Sequence, residues 1–409
     1  MRDTRSVVIV GANLAGMSAA RALAGELSAV VYEPAAMLEW LPNIHELLSG
    51  LKRPYNLRIE RGPLLARAGH DWRRQRVTRI DSHRHCIELD DGSEQLFSRV
   101  IVAVGGVHKT HGVPGAEQFA LPFKSVADCQ RIAVRLAALA SSGATMRVVI
   151  VGAGIEGIEA AGEILRRYRS QPGLSLALVD SAPRLLANLP AVLDETLRAH
   201  CQQLPVSLHL GQRVAQVSEH AVMLANGETL PADLVLWTGG VGPHPLLAAS
   251  HLSGSDGFAA VTQALHSDHG DGVYLAGDAI TSVGGVAIAQ QAYHAMAMGA
   301  HAARNVLAMR HGRPLQPWQP GNKPQLITFG DIDAFLVQGE RVLASPALGW
   351  LKEGIYQAGM ASFDRRRGDR RLSVAWRRLQ DSLLDNSIDL LRQPSWRRLW
   401  APLRRLPPR

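Results

Sequence analysis

The chain has 409 residues, 46% hydrophobic and 20% charged, which excludes extensive disorder and predicts two or three domains with room for a flavin-sized ligand. Cys86, Cys129 and Cys201 lie far apart, which excludes a disulfide framework or a C-x-x-C redox pair and points to the cytoplasm. The net charge of +8 is local, because residues 365 to 409 hold thirteen arginines against four aspartates; a nucleic-acid-binding body is therefore not expected.

The N-terminus "MRDTRSVVIVG" enters a strand without the apolar stretch of a signal peptide, so export is not expected. Nowhere do 18 apolar residues run together, so no spanning helix is expected. "VVIVGANLAG" then reads as a buried strand flowing into a dinucleotide-binding turn. Gly11 and Gly16 stand at the first and last glycine of G-x-G-x-x-G, Asn13 replaces the middle one, and Leu14 and Ala15 complete the entry to the helix. Asparagine tolerates positive φ, so Asn13 is expected to hold the turn that glycine would make. "AVVYE" closes the next strand on Glu33, 22 residues after Gly11, where a carboxylate can accept ribose hydroxyls.

"LFSRVIVAVGG" is a strand ending in small residues, among them Ala103 and Gly105, against which a cofactor can lie. "VVIVGAGIEGIEAAGEIL" carries a complete motif in Gly152, Gly154 and Gly157, and "LALVD" places Asp180 28 residues after Gly152. A carboxylate there repels a 2′-phosphate and leans to NADH, although the nearby Arg184 could receive one. "GVYLAGDAI" ends a further strand at Gly277 and Asp278, as if the first domain resumes after an inserted second one. No metal-ligand set is expected.

In their order these motifs resemble the two-dinucleotide-binding-domain flavoproteins, and within them the type II NADH:quinone oxidoreductases, over roughly residues 5 to 360. The most specific likeness is "LEWLPNIHELLSG", with Pro42, Glu46 and Gly50 in step; "LVLWTGGVGPHPLL", which contains Gly239, also follows the pattern. The resemblance implies FAD in the first unit, on Gly11, Asn13, Leu14, Ala15, Gly16, Glu33, Ala103, Gly105, Gly277 and Asp278. It implies NADH in the second, on Gly152, Gly154, Gly157, Asp180 and Gly239, with Glu159 facing the nicotinamide as the catalytic residue. Glu159 reads equally well as a solvated first-turn carboxylate. The chain departs from the disulfide reductases in lacking cysteines near residues 40 to 50, and from sulfide:quinone reductases in lacking any cysteine after Cys201. Quinone reducers often carry paired glutamines before the glycine of the late helix; here Ala297 and Met298 precede Gly299, and Gln290 and Gln291 lie upstream.

Beyond Asp364, Leu372, Trp376, Leu379 and Leu383, then Trp396, Leu399, Trp400 and Leu403, fall at helical spacing among arginines, the make-up of an interfacial helix for an anionic membrane. The expected fold is α/β: two Rossmann-like dinucleotide-binding domains, the second inserted in the first, plus a basic amphipathic helical C-terminal tail. Its expected domains are 1–110 with 245–320 for FAD, 111–244 for NADH, 321–364 on the acceptor side, and 365–409 as the tail. The expected function is hydride transfer from NADH to FAD and onward to a quinone-like acceptor, by a cytoplasmic enzyme peripheral on the inner face of the cell membrane. A homodimer is left open. Two rivals stand beside it: a soluble NADH-dependent reductase of a ferredoxin, rubredoxin or small organic substrate, and an NADH-responsive flavoprotein that signals.

Overall fold

The computed structural model describes residues 6–143, 145–364 and 404–407. The chain divides into two compact units, one of residues 1–40, 58–107 and 241–321, the other of 41–57, 108–240 and 322–409. Each therefore draws on distant parts of the sequence.

The first unit is built on the strand Ser6–Val10, whose "VVIV" run is buried throughout, as a parallel strand covered on both faces requires. It pairs in parallel with Ala29–Tyr32 and with Glu94–Val102, and Asp71–Arg73 extends the sheet beyond Ala29–Tyr32. The strand Val273–Leu275 returns to pair with Val100–Val102, so the sheet is completed by residues that follow the second dinucleotide motif. The helix Leu14–Leu23 crosses the helix Ala292–Arg310 at backbone contact, and Gly299 permits this: a Cβ there would stand 2.0 Å from the Ala15 carbonyl oxygen.

The second unit carries a parallel sheet in the order Ala120–Pro122, Leu234–Trp237, Met146–Val151, Leu174–Asp180, Val206–Leu210. Val149, Val151, Ala177, Val179, Val235 and Trp237 of that sheet share one buried cluster. A separate antiparallel sheet follows, from Gln325–Phe329, Asp333–Gln338, Arg341–Ala344 and Arg404–Leu406, with the helix Leu348–Phe363 after its third strand. The helix Ile155–Tyr168 meets this sheet through two glycines, since a Cβ on Gly162 would lie 2.2 Å from Gly330 N and one on Gly330 would lie 2.1 Å from Gly162 O.

The expected amphipathic helices of residues 365–403 lie outside the described residues, and Arg404–Leu406 is a strand. No helix among the described residues is long and apolar enough to cross a membrane.

Candidate functional site

The two dinucleotide turns repeat one construction. In the first unit Gly11 takes φ +86° and donates its N–H to Tyr32 O, and a Cβ on Gly16 would sit 1.9 Å from Gly11 O. In the second Gly152 takes φ +109° and donates to Val179 O, and a Cβ on Gly157 would sit 1.9 Å from Gly152 O. Only glycine suits these four places, two for their positive φ and two for the close approach of helix to turn.

The acids at the strand ends are used alike. Glu33 Oε2 accepts the N–H of Ala12 at 3.0 Å while Oε1 accepts that of Ala35 at 2.9 Å. Asp180 Oδ2 accepts the N–H of Ala153 at 2.6 Å while Oδ1 accepts that of Ala182 at 2.8 Å. Each carboxylate thus ties the second residue of its glycine turn to the end of the neighbouring strand, with lone pairs left for a ribose. The first unit adds a brace that has no counterpart among the described residues of the second: buried Arg61 donates through Nε to Ala12 O at 2.9 Å, and through its other nitrogens to Ala35 O and Met37 O.

Asn13 does not hold a positive φ. Its backbone is at φ −84°, close to the φ −74° of Gly154 at the same place in the second turn, so the middle position needs no left-handed conformer. What that position needs is space: a Cβ on Gly154 would meet nothing within 4 Å, which leaves the helix N-terminus open to a phosphate. Asn13 keeps the approach by turning its side chain aside, where Oδ1 accepts the N–H of Glu39 at 3.1 Å. Asn13→Gly should keep flavin bound with affinity lowered by about tenfold or less, the worth of one hydrogen bond; flavin-fluorescence titration checks this.

Ala103 and Gly105 close the strand Glu94–Val102; Ala103 is buried and its carbonyl would meet a Cβ on Gly11 at 2.5 Å. Leu14 and Ala15 are buried in the first turn of their helix. Gly277 takes φ +78°, and the carbonyl of Asp278 accepts the Gln290 side-chain amide at 2.9 Å. Within the same unit Gln291 Oε1 and His294 Nε2, at the start of the helix Ala292–Arg310, are buried polar atoms that lack a hydrogen-bond partner, as in a site completed by a polar ligand. In the second unit Gly239 packs its backbone beside Gly152, and Thr238 Oγ1 donates to the carbonyls of Val151 and Gly152. Arg184 is spent on its own loop, donating to Ala187 O and Leu189 O.

Glu159 is buried, not a solvated first-turn carboxylate. Its Oε1 contacts Lys352 Nζ and accepts the N–H of Thr328 at 3.2 Å, while its Oε2 lies 3.3 Å from His45 Nδ1. Burial raises its pKa above the ordinary carboxylate value, with Lys352 opposing. Beside this group Ser49 donates to Glu163, which Arg166 pairs at 3.0 Å, and Lys52 Nζ bridges Glu46 at 3.3 Å and Glu353 at 2.5 Å. Sequence reading missed Lys352, Thr328 and His45. A usable signal was the charge of Lys352 within an otherwise largely apolar helix, "LGWLKEGIYQAGMASF".

All three cysteines are buried and none is in a disulfide.

The chain matches the pyridine nucleotide-disulphide oxidoreductase family over residues 5–299. It is 25% identical over 367 residues to the demethylphylloquinone reductase NdbB of Synechocystis, covering 85% of this chain and 90% of that protein. It is 23% identical over 384 residues to the type II NADH:quinone oxidoreductase of Staphylococcus epidermidis, covering 87% and 94%. Among solved structures it resembles NDH2 of Plasmodium falciparum in complex with NADH, at TM-score 0.79 and 11% identity, covering 94% of this chain and 99% of that one. The sulfide:quinone oxidoreductase of Aquifex aeolicus also scores 0.79, at 13% identity, covering 94% and 96%.

Proposed function

Because the chain belongs to the pyridine nucleotide-disulphide oxidoreductase family, we propose that this oxidoreductase takes hydride from NADH onto FAD and passes the electrons to a quinone at a membrane surface. The carrying observation is the doubled turn, in which Glu33 and Asp180 each latch a glycine-framed loop, which supports a dinucleotide at each of the two turns. FAD belongs in the first unit, on Gly11, Asn13, Leu14, Ala15, Gly16, Glu33, Ala103, Gly105, Gly277 and Asp278. NADH belongs in the second, on Gly152, Gly154, Gly157, Asp180 and Gly239. When bound, the flavin supplies the two-electron chemistry, and the protein supplies position and electrostatics.

The residues around the second turn favour NADH over NADPH. Asp180 would repel a 2′-phosphate, and Arg184 has its guanidinium on backbone carbonyls instead of facing outward to receive one. Glu159 is assigned to the nicotinamide side of the reaction, with Lys352 compensating its charge. A quinone acceptor is supported by the relatives, an NADH:quinone oxidoreductase and a demethylphylloquinone reductase. Residues 365–403 bring arginine with tryptophan and leucine, a composition drawn to anionic bilayers.

Purified protein should be yellow, bleach anaerobically with NADH far faster than with NADPH, and be reoxidised by a short-chain quinone. A colourless preparation that FAD cannot reconstitute would sink the assignment. Reoxidation by ferredoxin or rubredoxin but not by quinone would move it to a soluble reductase.

A further inference from the structure

Four elements of the second unit bring side chains to one buried point. His45 precedes the short helix Glu46–Ser49, Glu159 comes from the helix Ile155–Tyr168, Thr328 from the strand Gln325–Phe329, and Lys352 from the helix Leu348–Phe363. His45 is 2% exposed, so the ring meets the others shielded from bulk solvent.

Counting donors fixes the arrangement. Lys352 Nζ faces three acceptors: Glu159 Oε1 in contact, His45 Nε2 at 3.3 Å and Thr328 Oγ1 at 3.3 Å. A lysine nitrogen only donates here, so His45 Nε2 accepts and the ring proton sits on Nδ1, facing Glu159 Oε2 at 3.3 Å. A second ring proton would place an N–H against the ammonium. The Thr328 hydroxyl spans the pair in the same sense, accepting from Lys352 and donating to Glu159 Oε1 at 3.4 Å. Glu159 and Lys352 are thus held together by direct contact and by two bridges, one through the His45 ring and one through the Thr328 hydroxyl.

We propose that His45 is a positioning residue, a neutral Nδ1-protonated imidazole that clamps Glu159 to Lys352 and so sets the pH range of turnover. This rests on the assignment of Glu159 to the nicotinamide side of the reaction. The other charges facing the trio are Arg166 on the Glu159 helix and Glu46 and Lys52 on the segment that carries His45. Burial, then Lys352, Arg166 and Lys52, hold the imidazole well below its ordinary value of 6.5, which agrees with the neutral form that the donor count demands. Removing the imidazole takes from Glu159 Oε2 the N–H that faces it and from Lys352 one of its three acceptors, so the pair is held less firmly and the carboxylate grows more basic.

The test is stopped-flow reduction of the FAD-loaded enzyme by NADH across pH 5.5 to 9. His45→Leu should shift the apparent pKa of the rate by about one unit and slow reduction about tenfold with little change in NADH affinity. His45→Gln, whose amide can donate to Glu159 and accept from Lys352, should restore the wild-type profile. A His45→Leu profile that overlays the wild type, with Glu159→Gln slowed, overturns the role of His45 alone. If Glu159→Gln reduces at the wild-type rate at every pH, the assignment of Glu159 fails instead. Should His45→Leu not fold, nitrogen NMR of 15N-histidine-labelled wild-type holoenzyme, with His45→Gln to identify the signal, decides the matter. A neutral Nδ1–H tautomer from pH 5.5 to 8 upholds the clamp, and an Nε2–H tautomer or titration near 6.5 overturns it.

Discussion

Gly157→Ala is expected to leave the protein yellow but no longer bleached by NADH, whereas Gly16→Ala is expected to leave it colourless. The two glycines hold equivalent places, each with a prospective Cβ 1.9 Å from the carbonyl oxygen of the turn's first glycine and 2.9 to 3.0 Å from its carbon. Neither neighbour is a flexible side chain. The backbone of the turn itself must move, which separates helix from strand at the point where phosphate meets the helix N-terminus. Overpacking of this kind costs about 1–3 kcal/mol. Spent on a binding turn, that is up to about a hundredfold in affinity, and more where the loop loses its shape. The latches localise the damage, because Glu33 serves only the first turn and Asp180 only the second. Absorbance spectra and anaerobic NADH titrations of both variants decide the outcome. Loss of flavin from Gly157→Ala with flavin kept by Gly16→Ala would reverse the assignment of cofactors to units.

These turns were legible because all their parts lie within about 30 residues of one another. Strand, glycine frame and closing acid are local, and the sequence spacing of Glu33 and Asp180 already placed them beside the turns that they latch. The reason given for Asn13 was not legible. Whether a middle residue needs positive φ or merely room depends on backbone angles that composition does not reveal, and here it needs room. The Glu159 group was out of reach for another reason. Its members stand at 45, 159, 328 and 352, and only the assignment of residues 41–57 and 322–364 to the second unit brings them together. A helix-dipole argument for a solvated Glu159 fails because Gly162 and Gly330 draw that face of the helix onto the 325–344 sheet.

Lys352→Met should destabilise the protein by about 3–5 kcal/mol at neutral pH, as when one partner of a buried ion pair is removed. The side chains of Lys352 and Glu159 are only 9% and 8% exposed, so solvent cannot take over the stranded carboxylate. Methionine keeps length and volume, so the loss would be one of charge compensation and not of packing. The pH dependence identifies the cause. Burial already raises Glu159 above its ordinary 4.5 in the folded state, and loss of Lys352 removes the principal opposing effect, raising it further. In the window between the unfolded and the raised folded value, the native state binds a proton that the unfolded chain does not, so stability falls as pH rises. The deficit of Lys352→Met should thus be smallest near pH 5 and grow by about 1.4 kcal/mol per pH unit toward neutrality, until the carboxyl ionises in the folded state. Urea unfolding at saturating FAD, at several pH values, measures this. Lys352→Met/Glu159→Gln should recover most of the loss and flatten its pH dependence, since no charge is then left to bury. A deficit equal at all pH values, or a double variant no more stable than the single one, would mean that Lys352 acts by packing and that Glu159 does not depend on it.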